Sequence, residues 1–145
     1  MPMTLAMMIL AGAALPLQFA LNALLGRTAG ASAIWAAMVS LFVSFTCIAG
    51  MLLLMRQPLP SLQVLKSVPL LYWFGGVGGA IFVTTSTFAI PRLGASTCVA
   101  LALLGQLLMS VAIDHFGLFG LPQKAVNLQR LAGIALVLSG VLVLR

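Results

Sequence analysis

The sequence predicts an all-α integral membrane protein of five transmembrane helices, and three observations predict it. Of 145 residues, 63% are hydrophobic and only 6% are charged, and the mean hydropathy is +1.24. A water-soluble domain carries roughly 25% charged residues to keep its exterior solvated, so this composition excludes a soluble enzyme. The apolar residues are gathered into five blocks, Leu5 to Leu25, Ile34 to Met55, Leu70 to Ile90, Ala95 to Ile113 and Leu131 to Leu144. Between the blocks stand the arginines, lysines, prolines and glycines that end membrane helices.

A hydrocarbon core about 30 Å thick requires about 20 residues of helix at 1.5 Å each, which the first four blocks supply. The fifth reaches only about 21 Å by the same rise. Extending it back through Ala125, with Arg130 snorkelling to the headgroups, lets it span. The predicted helices are therefore 4–26, 32–55, 69–90, 94–114 and 125–144, in a single transmembrane domain over 1–145. Met1 to Ala20 lacks the Lys/Arg region of a signal peptide. Its apolar run continues to Leu25, beyond the roughly 7 to 15 residues of a signal core, so it is expected to be retained.

The connections agree. Arg27 to Ala33 carries Gly30, and Arg56 to Pro69 holds Pro58, Pro60 and Pro69, which block helix continuation. Pro91 to Gly94 is expected to be a tight turn, and Asp114 to Lys124 contains Gly117, Gly120 and Pro122. Trp35 at one boundary and Tyr72 with Trp73 at the other are expected in the interfacial belts. The lipid bilayer is thus the chain's first partner.

Charge placement bears on orientation. An odd helix count puts Arg56, Lys66, Lys124 and Arg130 on one side, side A, and Arg27, Arg92 and Arg145 on the other, side B. Lys/Arg excess in short loops decides which side stays cytoplasmic, and four against three is nearly a tie, so dual topology is expected. Net charge is +6, but the seven cations stand singly between apolar blocks, so nucleic acid is not an expected partner. Cys47 and Cys98 lie inside apolar runs with no metal-ligand spacing and are expected to be small core residues; no metal or cofactor is expected.

Polar residues inside hydrocarbon are costly and are often placed for function. Gln18 and Asn22 lie four apart on one face of the first helix, after Pro16, which frees the carbonyl of Gly12. Their amides suit either substrate binding or interhelical hydrogen bonding. Gln106, Ser110 and Asp114 form a polar stripe on the fourth helix, Gln106 at nearly the depth of Gln18. Thr84 and Thr85 are further candidates to face a site, although membrane hydroxyls often bond back to their own backbone. Gly75 and Gly79 are in GxxxG register, and Ala36, Ser40 and Ser44 make a similar ridge on the second helix, a helix-packing signal.

Asp114 is the only acid and His115 the only histidine. Side by side they suit a proton relay or an ion pair with Arg130, or with Arg27 or Arg92 of a second chain. One acid and one histidine do not make a nucleophile, base and orienter, so no enzymatic activity is expected.

The ordered series Pro16, Gln18, Leu21, Asn22 and Leu25-Gly26-Arg27 resembles the short, roughly 150-residue YdcZ-like branch of the drug/metabolite transporter superfamily. Further matches are Gly75-Gly76-Val77-Gly78-Gly79-Ala80, Pro91-Arg92-Leu93-Gly94-Ala95, Gly105-Gln106, Asp114-His115-Phe116-Gly117 and Arg130 to Gly133, covering nearly the whole chain. The resemblance implies a multi-pass exporter of the bacterial inner membrane. It also implies an antiparallel dimer equivalent to the ten-helix, inverted-repeat members. The related small multidrug resistance proteins use a first-helix glutamate for cations and protons; here that helix has only Gln18 and Asn22, which points to a neutral or anionic substrate. The expected function is small-molecule transport by alternating access in an antiparallel homodimer, because two inverted copies let a central site face either side. A passive channel and a non-transporting accessory subunit of a heteromeric complex are the alternatives.

Overall fold

The structure is a computed structural model that describes residues 2–144; Met1, and the Arg145 counted on side B, lie outside the described residues. The chain divides into two compact units, Met1–Arg92 and Leu93–Arg145. Among the described residues it is helical, with no strand. Four stretches, Pro2–Thr28, Ala33–Leu54, Leu70–Leu93 and Ala95–Phe116, are long and apolar enough to cross a membrane.

In the first unit, α1 (Pro2–Thr28) runs unbroken through Pro16. It stops where Gly30 turns left-handed at φ +60°. Gly30 N–H then donates to the Arg27 carbonyl at 3.2 Å and Ala31 N–H to the Gly26 carbonyl at 2.9 Å, the paired closure of a Schellman motif. Ser32 immediately caps α2 (Ala33–Leu54), its side chain accepting from Trp35 N–H. Four connecting residues therefore suffice to return the chain beside itself. The two helices come close at Gly26, where a Cβ would stand 3.5 Å from the Ala36 Cβ, an ordinary contact that leaves no room for a larger side chain. The second-helix ridge of small residues thus packs on α1.

The Arg56–Pro69 connection is more ordered than its prolines predict. Arg56 occupies the left-handed region (φ +48°), and Gln57 N–H reaches the Leu52 carbonyl at 3.1 Å. A short helix α3 (Leu62–Ser67) follows, capped by Ser61. The predicted third span is likewise in two pieces, α4 (Leu70–Trp73) and α5 (Gly75–Leu93). The break falls at Phe74, just before Gly75, Gly76, Gly78 and Gly79, where each glycine weakens helix by about 1 kcal/mol relative to alanine. The tight turn expected at Pro91 to Gly94 is not there: Pro91 lies inside α5, and only Gly94 (φ +81°) leaves the helix. A proline two residues from a helix end removes a single bond, to the Thr87 carbonyl, which α5 tolerates.

Few residues of this unit are buried, and most are small or polar: Phe19, Asn22, Gly26, Ala36, Ala37, Val83, Ser86 and Thr87. Phe19 meets Phe82 edge to face, ring centroids 5.3 Å apart. Large apolar side chains such as Leu54 (86% exposed) instead cover the outside, the arrangement expected where the surroundings are hydrocarbon. Cys47, expected in the core, is exposed on that outer surface, whereas Cys98 is buried.

The second unit is an antiparallel pair, α6 (Ala95–Phe116) and α7 (Leu128–Leu144). Gly117 closes α6 in the left-handed conformation. A turn at Leu118–Gly120, with Phe119 in the left-handed region (φ +60°), and an irregular segment, 121–127, lead into α7. Opposite ends are tied: Thr97 Oγ1 donates to the Leu144 carbonyl at 3.4 Å, and Arg130 pairs with Asp114 at 3.0 Å. Residues 125–127 do not extend the last helix as expected. Asn127 Oδ1 accepts from Arg130 N–H at 2.9 Å, so Asn127 caps the helix and starts it at Leu128. At 17 residues α7 is about 25 Å long.

Candidate functional site

The second half of α1 carries the polar side chains that the fold turns inward. Gln18 Nε2 donates to Ser40 Oγ of α2 at 3.2 Å, which makes this amide an interhelical tie as well as part of the lining. One turn further on, Asn22 is 5% exposed, and its Nδ2 is buried with no hydrogen-bond partner. Helix periodicity puts both on the same face. Ser44 Oγ bonds back to the Ser40 carbonyl at 3.0 Å, leaving its own face small. The result is a groove of about 510 Å³ walled by α1 and α2, with Gln18, Asn22, Ser40 and Ser44 as its polar points among Leu17, Leu21 and Val43. Volume and character match those of small-molecule sites, mostly apolar with a few placed polar groups.

A smaller cavity of about 170 Å³ lies at the far end of α1, again lined by Asn22, now with Gly26, Arg27, Thr87, Phe88, Pro91 and Arg92, and with Ala31 and Ala33 at the start of α2. Arg92 folds along its own helix, its guanidinium 3.6 Å over the Phe88 ring and Nη1 donating to the Phe88 carbonyl at 2.9 Å. Arg27 is exposed at the mouth. Asn22 belongs to both cavities.

Of the α5 hydroxyls, Thr84 is half-buried and Thr85 exposed, and neither lines the groove. The inward-facing pair is Ser86 and Thr87, bonded back to the Phe82 and Val83 carbonyls at 2.7 and 2.8 Å. The missed signal was the register Val83, Ser86 and Thr87, at i, i+3 and i+4, together with Pro91, which leaves the Thr87 carbonyl without a helical donor. Gly75 and Gly79 meet nothing within 4 Å of where a Cβ would stand. Their ridge therefore lies bare, and close helix approach occurs instead at Gly26.

Gln106 is exposed on α6, in the second unit. At the end of that helix Asp114 takes Arg130 of its own chain, with side-chain exposures of 31% and 27%. The Asp114 carbonyl accepts from Lys124 N–H at 2.8 Å. The His115 carbonyl accepts from Gln123 Nε2 at 2.8 Å, and its Nδ1 from Val126 N–H at 3.4 Å. Together they strap the 121–127 segment to α6. Among the described residues no group of three or more metal-ligating side chains occurs.

Neither the curated proteins nor the solved structures provide a match to the chain. A family model does: that described as "Putative inner membrane exporter, YdcZ" aligns with residues 3–143. The likeness thus takes in every helix described above, and the four bilayer-length stretches are what a protein of that location requires. The chain belongs to the YdcZ family of inner-membrane exporters, and is a multi-pass inner-membrane protein of a transporter family.

Proposed function

We propose that the chain exports a small molecule by alternating access, as an antiparallel homodimer whose substrate passes along the amide-bearing groove of α1. The observation that carries this reading is the groove itself. Its 510 Å³ has the polarity of a ligand site, yet every lining residue belongs to α1 or α2, and two helices cannot enclose a solute. A second, inverted copy supplies the missing wall and the symmetry that lets one site open to either side. The bare Gly75 and Gly79 ridge is a surface on which another helix can approach closely. The near tie of basic residues, four against three, is compatible with insertion in both orientations. For α7 to be a fifth span, its 17 residues draw on Arg130 reaching up to the headgroups. Gln18 and Asn22 are assigned to substrate contact, with Gln106 as a candidate from the second unit.

The test is reconstitution of the purified chain in liposomes, with flux measured across panels of neutral, anionic and cationic metabolites. Saturable flux and counterflow are expected, both strongly reduced in Asn22→Leu. Flux that rises linearly with concentration assigns a channel instead, and flux appearing only with a second, different chain assigns an accessory subunit; either result refutes the proposal.

A further inference from the structure

We infer that the 170 Å³ cavity between the end of α1 and the end of α5 is a binding site for an oxyanionic group, a phosphate or a carboxylate. The first observation is Asn22. Its side chain is 95% removed from solvent by its 5% exposure, lines this cavity, and holds an amide Nδ2 that donates to nothing. A buried donor without an acceptor is costly, and an acceptor placed in the cavity relieves that cost.

The charged side chains of the lining have one sign. Arg27 and Arg92 both line the cavity, and the only acidic side chain of the protein, Asp114, is bound to Arg130 in the other unit. Arg92 uses one of its five N–H groups on the Phe88 carbonyl, leaving others free to donate. Ala33, with Ala31 just before it, brings the start of the 22-residue α2 to the wall, but its partial positive charge is opposed by the C-terminal ends of α1 and α5 at the same cavity, so the two arginines carry the positive field. The cavity is thus lined by a residue with an orphan amide donor and by two arginines. Acceptors are also present in this set, the Asn22 Oδ1 and the Thr87 carbonyl that Pro91 leaves without its helical donor.

Size narrows the ligand further. At roughly 30 Å³ per water, the cavity of about 170 Å³ holds between five and six water volumes, room for an oxyanion with part of its hydration, any larger substituent remaining outside the mouth. Asn22 and Arg27 are five residues apart, about 7.5 Å along the helix axis, so the site runs from the membrane boundary inward. A lipid headgroup phosphate and the anionic group of a soluble solute both have the required chemistry. The site shares Asn22 with the groove, but oxyanion binding does not rest on the transport reading, because the cavity is formed by α1, α2 and α5 of one chain.

The experiment uses the purified full-length chain in detergent. Thermal stabilisation by inorganic phosphate is measured at constant ionic strength against chloride, and retention of phosphatidylglycerol is measured by native mass spectrometry. Protection by phosphate identifies a soluble anion; retention of phosphatidylglycerol without phosphate protection identifies the headgroup. Either result supports the site, provided binding weakens about tenfold or more in Arg27→Gln/Arg92→Gln, as loss of charge-assisted hydrogen bonds predicts, and is unchanged in Arg56→Gln. Asn22→Asp, which replaces the orphan donor by a negative charge of the same shape, is expected to abolish it. Because both arginines are exposed, the double variant folds whether or not Asn22→Asp does. Absence of both signals, full binding in the double arginine variant, or equal loss in Arg56→Gln overturns the inference.

Discussion

The Gln18–Ser40 hydrogen bond separates the two roles that an amide in a membrane helix can play, and a double-mutant cycle measures both. Its N···O distance is 3.2 Å and it is part-buried, at the long end of the usual range for N–H···O bonds. Interhelical hydrogen bonds in membranes average about 0.6 kcal/mol, with a maximum near 1.7, so this one belongs near the lower value. In Gln18→Ala the Ser40 hydroxyl is not stranded, because it can bond back to the Ala36 carbonyl four residues earlier, as Ser44 does to Ser40. The coupling energy from Gln18→Ala, Ser40→Ala and the double variant, measured by reversible unfolding in mixed micelles, is therefore expected at about 0.6 kcal/mol. Flux per folded protein then assigns the role. If Gln18 contacts substrate, Gln18→Ala abolishes or reshapes transport while Ser40→Ala, which removes only the tie, leaves most of it. Equal effects of the two variants on flux, or unchanged flux per folded dimer in Gln18→Ala, would refute the substrate assignment and leave Gln18 as a helix tie alone.

Carboxyl-terminal reporters are expected to give signal on both sides of the membrane, and two lysines added to either terminus to bias the population; a single-sided signal indifferent to added charge refutes dual topology. Gly26→Ala meets only ordinary contacts at 3.5 Å and is expected to be neutral or stabilising by up to about 1 kcal/mol. Gly26→Leu forces α1 from α2 and is expected to cost about 1 to 3 kcal/mol, read in the same unfolding assay. Gly75→Leu and Gly79→Leu enter open space, so monomer stability is expected to be unchanged or raised by up to about 1 kcal/mol, while dimerisation, measured by dilution in lipid, weakens. Asp114→Asn removes a pair with side chains 31% and 27% exposed, worth about 1 kcal/mol or less after solvent screening. The Lys124 and Gln123 bonds keep the strap in place, so any pH dependence of flux is expected to persist; its loss would make Asp114 a proton carrier.

Composition and block length determined the class of this protein without any structure. With 6% charged residues no soluble surface can be assembled, and about 20 apolar residues per block answer to the thickness of a bilayer alone. The residues Gln18 and Asn22 were legible for the same reason: amides are conspicuous in hydrocarbon, where each needs a partner or a task. Helix ends were less legible, because they depend on caps a residue or two wide. Asn127 moves the start of α7 to Leu128, and a proline near the end of α5 reads in sequence like a turn although the helix absorbs it.

Only the tertiary structure decided which polar groups are satisfied and which are not. Gln18 and Asn22 are one turn apart and alike in sequence, yet one finds Ser40 and the other finds nothing. Which hydroxyls turn inward on α5 is likewise a matter of helix rotation, and a rotation of about 100° per residue exchanges Thr84 and Thr85 for Ser86 and Thr87. The glycine pattern announced a close approach but not its place, since Gly26 with Ala36 makes it and Gly75 with Gly79 does not. In a membrane the surrounding lipid is as apolar as leucine, so hydrophobicity cannot choose which face of a helix is buried. That choice rests on small-residue fit and a few hydrogen bonds, which exist only once the helices are side by side.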